Sequence, residues 1–239
     1  MLLLSLDFET TGLSPETDKV IEVGAVLYST AQDQQLMTQG YLVDHEMPIS
    51  PEITKITGIK KGMIDKFGLS SKTALTTLLN MIEMSEAIVG QNIIDFDIPF
   101  LQNWAKAEGE TVPERLLIDT KTDLPGVVSK HLGYMAADAG FLNPFPHRAV
   151  SDCMTVLRLV SMHNIDDIVV RAKSPRVTLA ADVTFDNNHL AKERGYYWGP
   201  SRGFEEKVWF KLIKELELEK EAKEAPFNIS KVELTPVKK

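Results

Sequence analysis

Cysteine is nearly absent. Cys153 stands alone among 239 residues, so no disulfide can form within the chain, and the sequence fits a reducing compartment such as the cytoplasm. A single cysteine of this kind reads as a small buried residue on a helix. Long apolar runs are missing too. No stretch approaches the roughly 18 residues that a membrane span needs. The opening residues 1–9 (MLLLSLDFE) are apolar but short. They lack a basic flank and a small-residue cleavage site, and acids soon interrupt them, so they read as a buried strand and not as a signal peptide. Positive charge is also in deficit: 26 Lys and Arg face 34 Asp and Glu, a formal net of −8. That balance argues against a protein that grips nucleic acid through a broad basic field. It leaves open a site that gathers carboxylates around cations, because the bound ions then supply the positive charge. The deficit is uneven. Residues 171–239 hold 14 basic and 11 acidic side chains, a net of +3, whereas residues 1–170 hold 12 and 23, a net of −11.

What is present is ordinary for a folded chain: 44% hydrophobic residues are enough for one good-sized core and a smaller appendage. Residues 2–7 form a near-continuous apolar run, as expected of a strand covered on both faces. Residues 11–15 (TGLSP) mark a turn. Residues 20–28 (VIEVGAVLY), rich in β-branched side chains, predict a second strand. Residues 39–43 predict a third, with 32–35 in the turn between, and the three read as an antiparallel meander. Ser50 and Pro51 have the chemistry of an N-cap and first position of a short helix. Helical spacing of Leu75, Leu78, Leu79 and Ile82 predicts a helix over 71–84. Short buried strands are expected at 87–90 and 116–119, and helices at 98–108, 127–139 and 149–163. The order β-β-β-α-β-α-β-α-α is that of an α/β layered domain built on a mixed sheet. Composition shifts near 166–175. Beyond it come a predicted strand at 177–185, a short helix at 188–194 closed by Gly195, a strand at 208–213, a charged helix at 215–224 and a last strand at 227–234. Residues 1–170 are therefore read as one α/β domain and 176–236 as a small α+β module, marginal alone.

The chemistry begins at Asp7-Phe8-Glu9. Residues two apart on a strand point to the same face, so both carboxylates project together while Phe8 turns into the core. Buried like charges are costly unless neutralised, and oxygen-only ligands suit Mg²⁺ or Mn²⁺. Asp97 stands between a short strand and a helix, and Asp152 early in a helix, where a carboxylate is electrostatically favoured. Either could be a simple cap, and His147, five residues before Asp152, could be an ordinary surface residue. Together, four carboxylates and a histidine are what two-metal phosphodiester hydrolysis requires, with the histidine, a residue type that titrates near neutral pH, taking the water's proton.

At these residues the chain resembles the DEDDh family of 3′→5′ exonucleases, which has a ribonuclease-H-like fold and includes the polymerase III epsilon proofreading subunit, ribonuclease T and oligoribonuclease. Three motifs carry the likeness. The first is Asp7-Phe8-Glu9-Thr10-Thr11-Gly12-Leu13 with Val20-Ile21-Glu22-Val23-Gly24-Ala25. The second is Asn92-Ile93-Ile94-Asp95-Phe96-Asp97, and the third His147-Arg148-Ala149-Val150-Ser151-Asp152. Ile56-Thr57-Gly58-Ile59 and Ile118-Asp119-Thr120 fall between them in the expected order. The resemblance covers roughly residues 1–162. It implies that Asp7, Glu9 and Asp152 ligate one of two divalent cations, Mg²⁺ with Mn²⁺ as a substitute. Asp7 would also touch the second cation, and Asp97 would act through water. His147 would be the general base. Thr10, Thr11, Gly12, Leu13, Asn92 and Phe96 would meet the 3′-terminal nucleotide. Many relatives have three residues between the Asn and Asp of the second motif where this chain has four, so Asp95 competes with Asp97; Asp97 is chosen because it follows the aromatic Phe96. The implied activity is release of nucleoside 5′-monophosphates from 3′ ends of single-stranded nucleic acid, with DNA favoured over RNA. The alternatives are a proofreading subunit working within a polymerase or other replication or repair assembly, and a catalytically silent nucleic-acid-binding module. In the small module, Tyr197, Trp198 and Trp209 are interleaved with Lys and Arg. They are read first as its core and second as a grip on single strands.

Overall fold

The computed structural model describes residues 1–126, 131–200 and 207–232. The chain divides into two compact units, Met1–Ala172 and Lys173–Lys239.

In the first unit, β1 (Leu2–Thr10), β2 (Val20–Ser29) and β3 (Gln34–Asp44) form the antiparallel meander. Strand β3 starts five residues before the predicted position, because Gln34 and Gln35 pair with Ser29 and Tyr28 instead of lying in the turn. Helices α1 (Pro51–Thr57) and α2 (Lys61–Phe67) follow, with Ser50 capping α1 by accepting from Ile53 N–H. Then come β4 (Leu69–Ser70), α3 (Ser71–Met84), β5 (Ala87–Gly90), α4 (Asp97–Glu108), β6 (Leu116–Asp119), α5 (Thr120–Asp123), α6 (Leu132–Asp138), α7 (Ala149–Ser161) and α8 (Ile165–Lys173). The predicted helix over 127–139 is observed only as α6; residues 127–130 lie outside the described residues. The compositional shift near 166 falls within α8. The sheet order is β4-β3-β2-β1-β5-β6, with β1–β5, β5–β6 and β3–β4 parallel. It is a mixed sheet flanked by helices, as the order of the predicted elements implied. Among the described residues no helix is long and apolar enough to cross a membrane.

Strand periodicity sorts β1 into two faces. Leu4, Leu6 and Phe8 enter one core with Leu75, Leu78, Ile82, Leu101 and Trp104 of α3 and α4. Leu3 enters the opposite core with Val26, Cys153, Val156, Leu157 and Val160, which belong to β2 and α7. Each fully buried aliphatic side chain contributes about 1.5–3 kcal/mol of hydrophobic stabilisation, and a one-residue slip would flip Asp7 and Glu9 into the apolar core under α3 and α4, so the register is firmly set. Ser5, Asp7 and Glu9 share the parity of Leu3 and therefore face α7. Ser5 Oγ donates to Cys153 O at 3.2 Å, and Cys153 Sγ donates to Gly24 O at 3.2 Å.

The second unit holds β7 (Arg176–Asp182), α9 (Asn188–Glu193), β8 (Tyr197–Pro200), β9 (Lys207–Lys214), α10 (Leu218–Glu224) and β10 (Asn228–Val232), with short 3₁₀ turns at Phe185–Asn187 and Glu215–Glu217. Its sheet is antiparallel, in the order β10-β7-β9-β8. Strand β8 is an addition to the predicted set. The last two positions of the predicted strand over 227–234 lie outside the described residues. The core centres on Val177, Leu179, Ala191, Tyr196 and Ile213. The expectation that Tyr197 and Trp198 form this core is overturned: both are exposed, and the buried ring is that of the neighbouring Tyr196.

Candidate active site

Period two on β1 aims Asp7 and Glu9 at the first turn of α7, where Asp152 waits. Carboxylate oxygens of Asp7, Glu9 and Asp152 lie within 4.8 Å of one another. Two glycines make this approach possible. A Cβ on Gly24 would stand 2.3 Å from the Ala149 carbonyl carbon, and one on Gly40, its partner across β2–β3, would stand 2.5 Å from Val150 Cγ2. A bidentate ion pair closes the same seam: Arg148 Nη2 and Nε donate to Glu22 at 2.8 and 3.1 Å, and Ala149 N–H donates to Glu22 Oε2 at 3.1 Å. Glu22 is buried directly opposite Glu9.

Asp97 arrives from the other edge. The β1–β5 pairing ends at Ser5 and Val89. Beyond it, Phe8 N–H donates to Asp97 Oδ1 at 2.9 Å. Asp97 is the first residue of α4, a favourable place for a carboxylate, and is only 2% exposed. Its rival Asp95 is exposed. His147 is exposed, with its backbone at φ +61°, and lies outside the carboxylate trio. It borders Asp152, whose carboxylate its charge and its backbone N–H both favour.

The remaining predicted residues form two loops beside the trio. Thr11 Oγ1 donates to Asp18 Oδ1 at 3.0 Å, Ser14 N–H donates to Asp18 Oδ2 at 2.9 Å, and Thr10 Oγ1 donates to Gly12 O at 2.5 Å. This clasp leaves Leu13 85% exposed at the tip. Asn92 sits at φ +58°, its N–H donating to Asp119 Oδ1 at 2.9 Å and its side-chain oxygen accepting from Lys121 Nζ at 2.7 Å. Phe96 packs on Phe100 with centroids 5.0 Å apart.

Three contributors were not picked out in the sequence. Asn143 Nδ2 donates to Asp152 Oδ1 at 2.5 Å, and Asn143 Oδ1 accepts from Ser151 Oγ at 2.6 Å; no spacing signal marks it. Glu22 and Asp119 did fall within quoted motifs, but their partners are decided by tertiary contact.

Electrostatically the cluster is overloaded. Burial first, then the charges of Asp97, Asp152, Glu9 and Glu22, push the Asp7 carboxyl far above its usual range. Burial, then Asp152, Glu22 and Asp97, raise Glu9 from 4.5 to about 8, against the opposing pull of Arg148. Burial also raises Asp97 to about 8, with Asp119 adding to it while the Phe8 and Asp97 N–H groups oppose. Asp152 is raised by burial and partly relieved by Asn143 and His147. These acids cannot all ionise together without added positive charge. An all-oxygen set of this kind fits hard divalent cations.

Residues 4–160 match the RNase_T family model, described as Exonuclease. The PolC-type DNA polymerase III of Thermotoga petrophila is 36% identical over 166 residues, and that of Thermotoga maritima 34%. Each alignment covers 66% of this chain but only 12% of the polymerase, so the chain spans about an eighth of the length of these relatives. Among solved structures, E. coli exonuclease I in complex with a dA16 oligonucleotide superposes with a TM-score of 0.67 at 13% identity, covering 95% of this chain and 68% of that one. The nuclease domain of 3′hExo, a DEDDh family member bound to rAMP, gives 0.58 at 18%, covering 67% and 90%. These structural likenesses establish the fold, and the family match, spanning well over half of the sequence, establishes that the chain belongs to the RNase_T exonuclease family.

Proposed function

We propose that the chain hydrolyses single-stranded nucleic acid, DNA in preference to RNA, one nucleotide at a time from the 3′ end, releasing nucleoside 5′-monophosphates. The observation that carries this reading is the convergence of Asp7, Glu9 and Asp152 within 4.8 Å, with Asp97 buried behind them. These four residues would hold two divalent cations, Mg²⁺ or in its place Mn²⁺. When bound, such ions lower the pKa of water and stabilise charge on the leaving oxygen. The chain's own side chains do the rest. His147, exposed beside Asp152, takes the proton of the attacking water. Asn143 fixes the Asp152 carboxylate. The Asp18 clasp presents Thr10, Thr11, Gly12 and Leu13 to the terminal nucleotide, and Asn92 and Phe96 complete its pocket. DNA is favoured because the curated relatives are DNA polymerases and exonuclease I was solved with a deoxyoligonucleotide. A single buried Cys153 accords with work in the cytoplasm.

A second reading, proofreading within a polymerase assembly, is supported by the identity to PolC-type polymerases. Co-purification with a polymerase would favour it, and robust activity of the isolated chain would weaken it. A catalytically silent binding module is disfavoured by the complete acidic set. The deciding experiment presents 5′-labelled DNA and RNA of equal sequence with Mg²⁺, Mn²⁺ or EDTA. Metal-dependent ladders shortening from the 3′ end, faster on DNA, are expected. No cleavage of either substrate with metal present would sink the exonuclease reading.

A further inference from the structure

Strand β8 is the edge of the second unit's sheet and pairs with β9. Directly opposed residues of an antiparallel pair share a face. Trp198 lies opposite Trp209, and Tyr197 opposite Phe210. The β8–β9 edge therefore carries an aromatic pair on each face, with centroids 5.7 and 6.4 Å apart. A small module with few large apolar residues gains most by burying such rings. This one instead leaves Tyr197 62% and Trp198 56% exposed. Rings left exposed at a sheet edge are available to stack on a partner.

Charge narrows the occupant. Lys207 and Lys211 flank Trp209 at strand spacing and so share its face and that of Trp198. Lys211 is tied to Glu221 at 3.0 Å, while Lys207 is exposed. Residues 171–239 carry +3 within a chain of −8. A ligand that offers flat faces for stacking and negative charge along its length is a single strand of nucleic acid, for which aromatic platforms beside basic side chains are a known solution.

We propose that the β8–β9 edge is a stacking platform for single-stranded nucleic acid on the face that carries Trp198 and Trp209, with a base on Trp198 and backbone phosphate drawn by Lys207. The inference builds on the exonuclease reading, since the ligand is its substrate class, but its test is binding alone. The full chain in EDTA, where hydrolysis is off, is titrated with a 5′-fluorescein deoxythymidine strand of about 15 nucleotides, long enough for one such groove. Trp198→Ala is expected to weaken binding about 10-fold, whereas Tyr197→Ala, on the opposite face, should leave it near the wild-type value. Trp198→Phe should retain most of the affinity. Lys207→Glu, which removes no packing, should weaken binding and flatten its salt dependence. Hydrolysis of a dinucleotide with Mg²⁺ should stay at the wild-type rate in all four. Unchanged affinity in Trp198→Ala and in Lys207→Glu would overturn the platform and turn the edge over to a protein partner. Should Trp198→Ala melt at lower temperature than wild type, Lys207→Glu decides the matter. If the wild type cleaves nothing under any metal but Trp198→Ala and Lys207→Glu still lose affinity, the exonuclease reading fails while the platform stands.

Discussion

Glu9 keeps its proton up to about pH 8 in the folded chain, against an ordinary 4.5, and Asp97 does the same from 3.8. Between those values the folded state binds more protons than the unfolded one, so stability is fully present at the acidic end of the window and is lost as pH rises through about 8. Divalent cations bind the ionised carboxylates and reverse the loss. In EDTA the Tm is expected to fall from about pH 5 to about pH 8, and the gain on adding Mg²⁺ should be larger at the upper end. Differential scanning fluorimetry checks both, and a Tm that climbed across this window without metal would contradict the assignment. Asp152→Ala removes a ligand and one of several repelling charges, not core volume. Hydrolysis should drop by more than about 100-fold, the scale on which single electrostatic groups act at a reacting centre, while the metal-free Tm does not fall. Residual activity above a few per cent of wild type would rule out the ligand role. At this scale the sequence was highly legible for Asp7 and Glu9, whose shared face follows from strand parity alone. It was silent on Asn143, because the 2.5 Å contact with Asp152 depends on how the loop before α7 folds back.

At the scale of elements, the site is set by how α7 docks on β1 and β2. Gly24 lets it, since any Cβ there meets backbone atoms of Ala149 that have nowhere to move. Gly24→Ala should destabilise by about 1–3 kcal/mol, as over-packing does, and depress hydrolysis by shifting Asp152 away from Asp7. Gly62→Ala on α2 serves as the control: nothing lies within 4 Å of its Cβ, so stability should hold or rise by up to about 1 kcal/mol. Urea melts with parallel kinetics measure the pair, and equal behaviour of the two would refute the packing argument. Most elements were readable here. α3, β5 and β6 match their predicted spans because apolar spacing and turn residues bound them locally. Strand β8 was not, since Tyr197–Pro200 has no periodicity of its own and becomes a strand by pairing with β9.

For the whole molecule, the first unit contains both cores that flank β1 and all the site residues. A chain ending at Ala172 should therefore fold and cleave a dinucleotide at near wild-type rate, while losing affinity for longer strands. Equal loss on both substrates would make the second unit structural. Sequence alone settled the α/β class, the meander, the ordered motifs and the all-oxygen acidic set, because parity, local propensity and residue chemistry are written into neighbouring positions. Tertiary structure decided which acids converge, that Glu22 locks Arg148 from 126 residues away, that Asp97 and not Asp95 is buried, and that Tyr197 and Trp198 face outward while Tyr196 faces in. Each of those outcomes depends on exclusion of water by segments remote in the chain, and no local pattern encodes which segment will arrive.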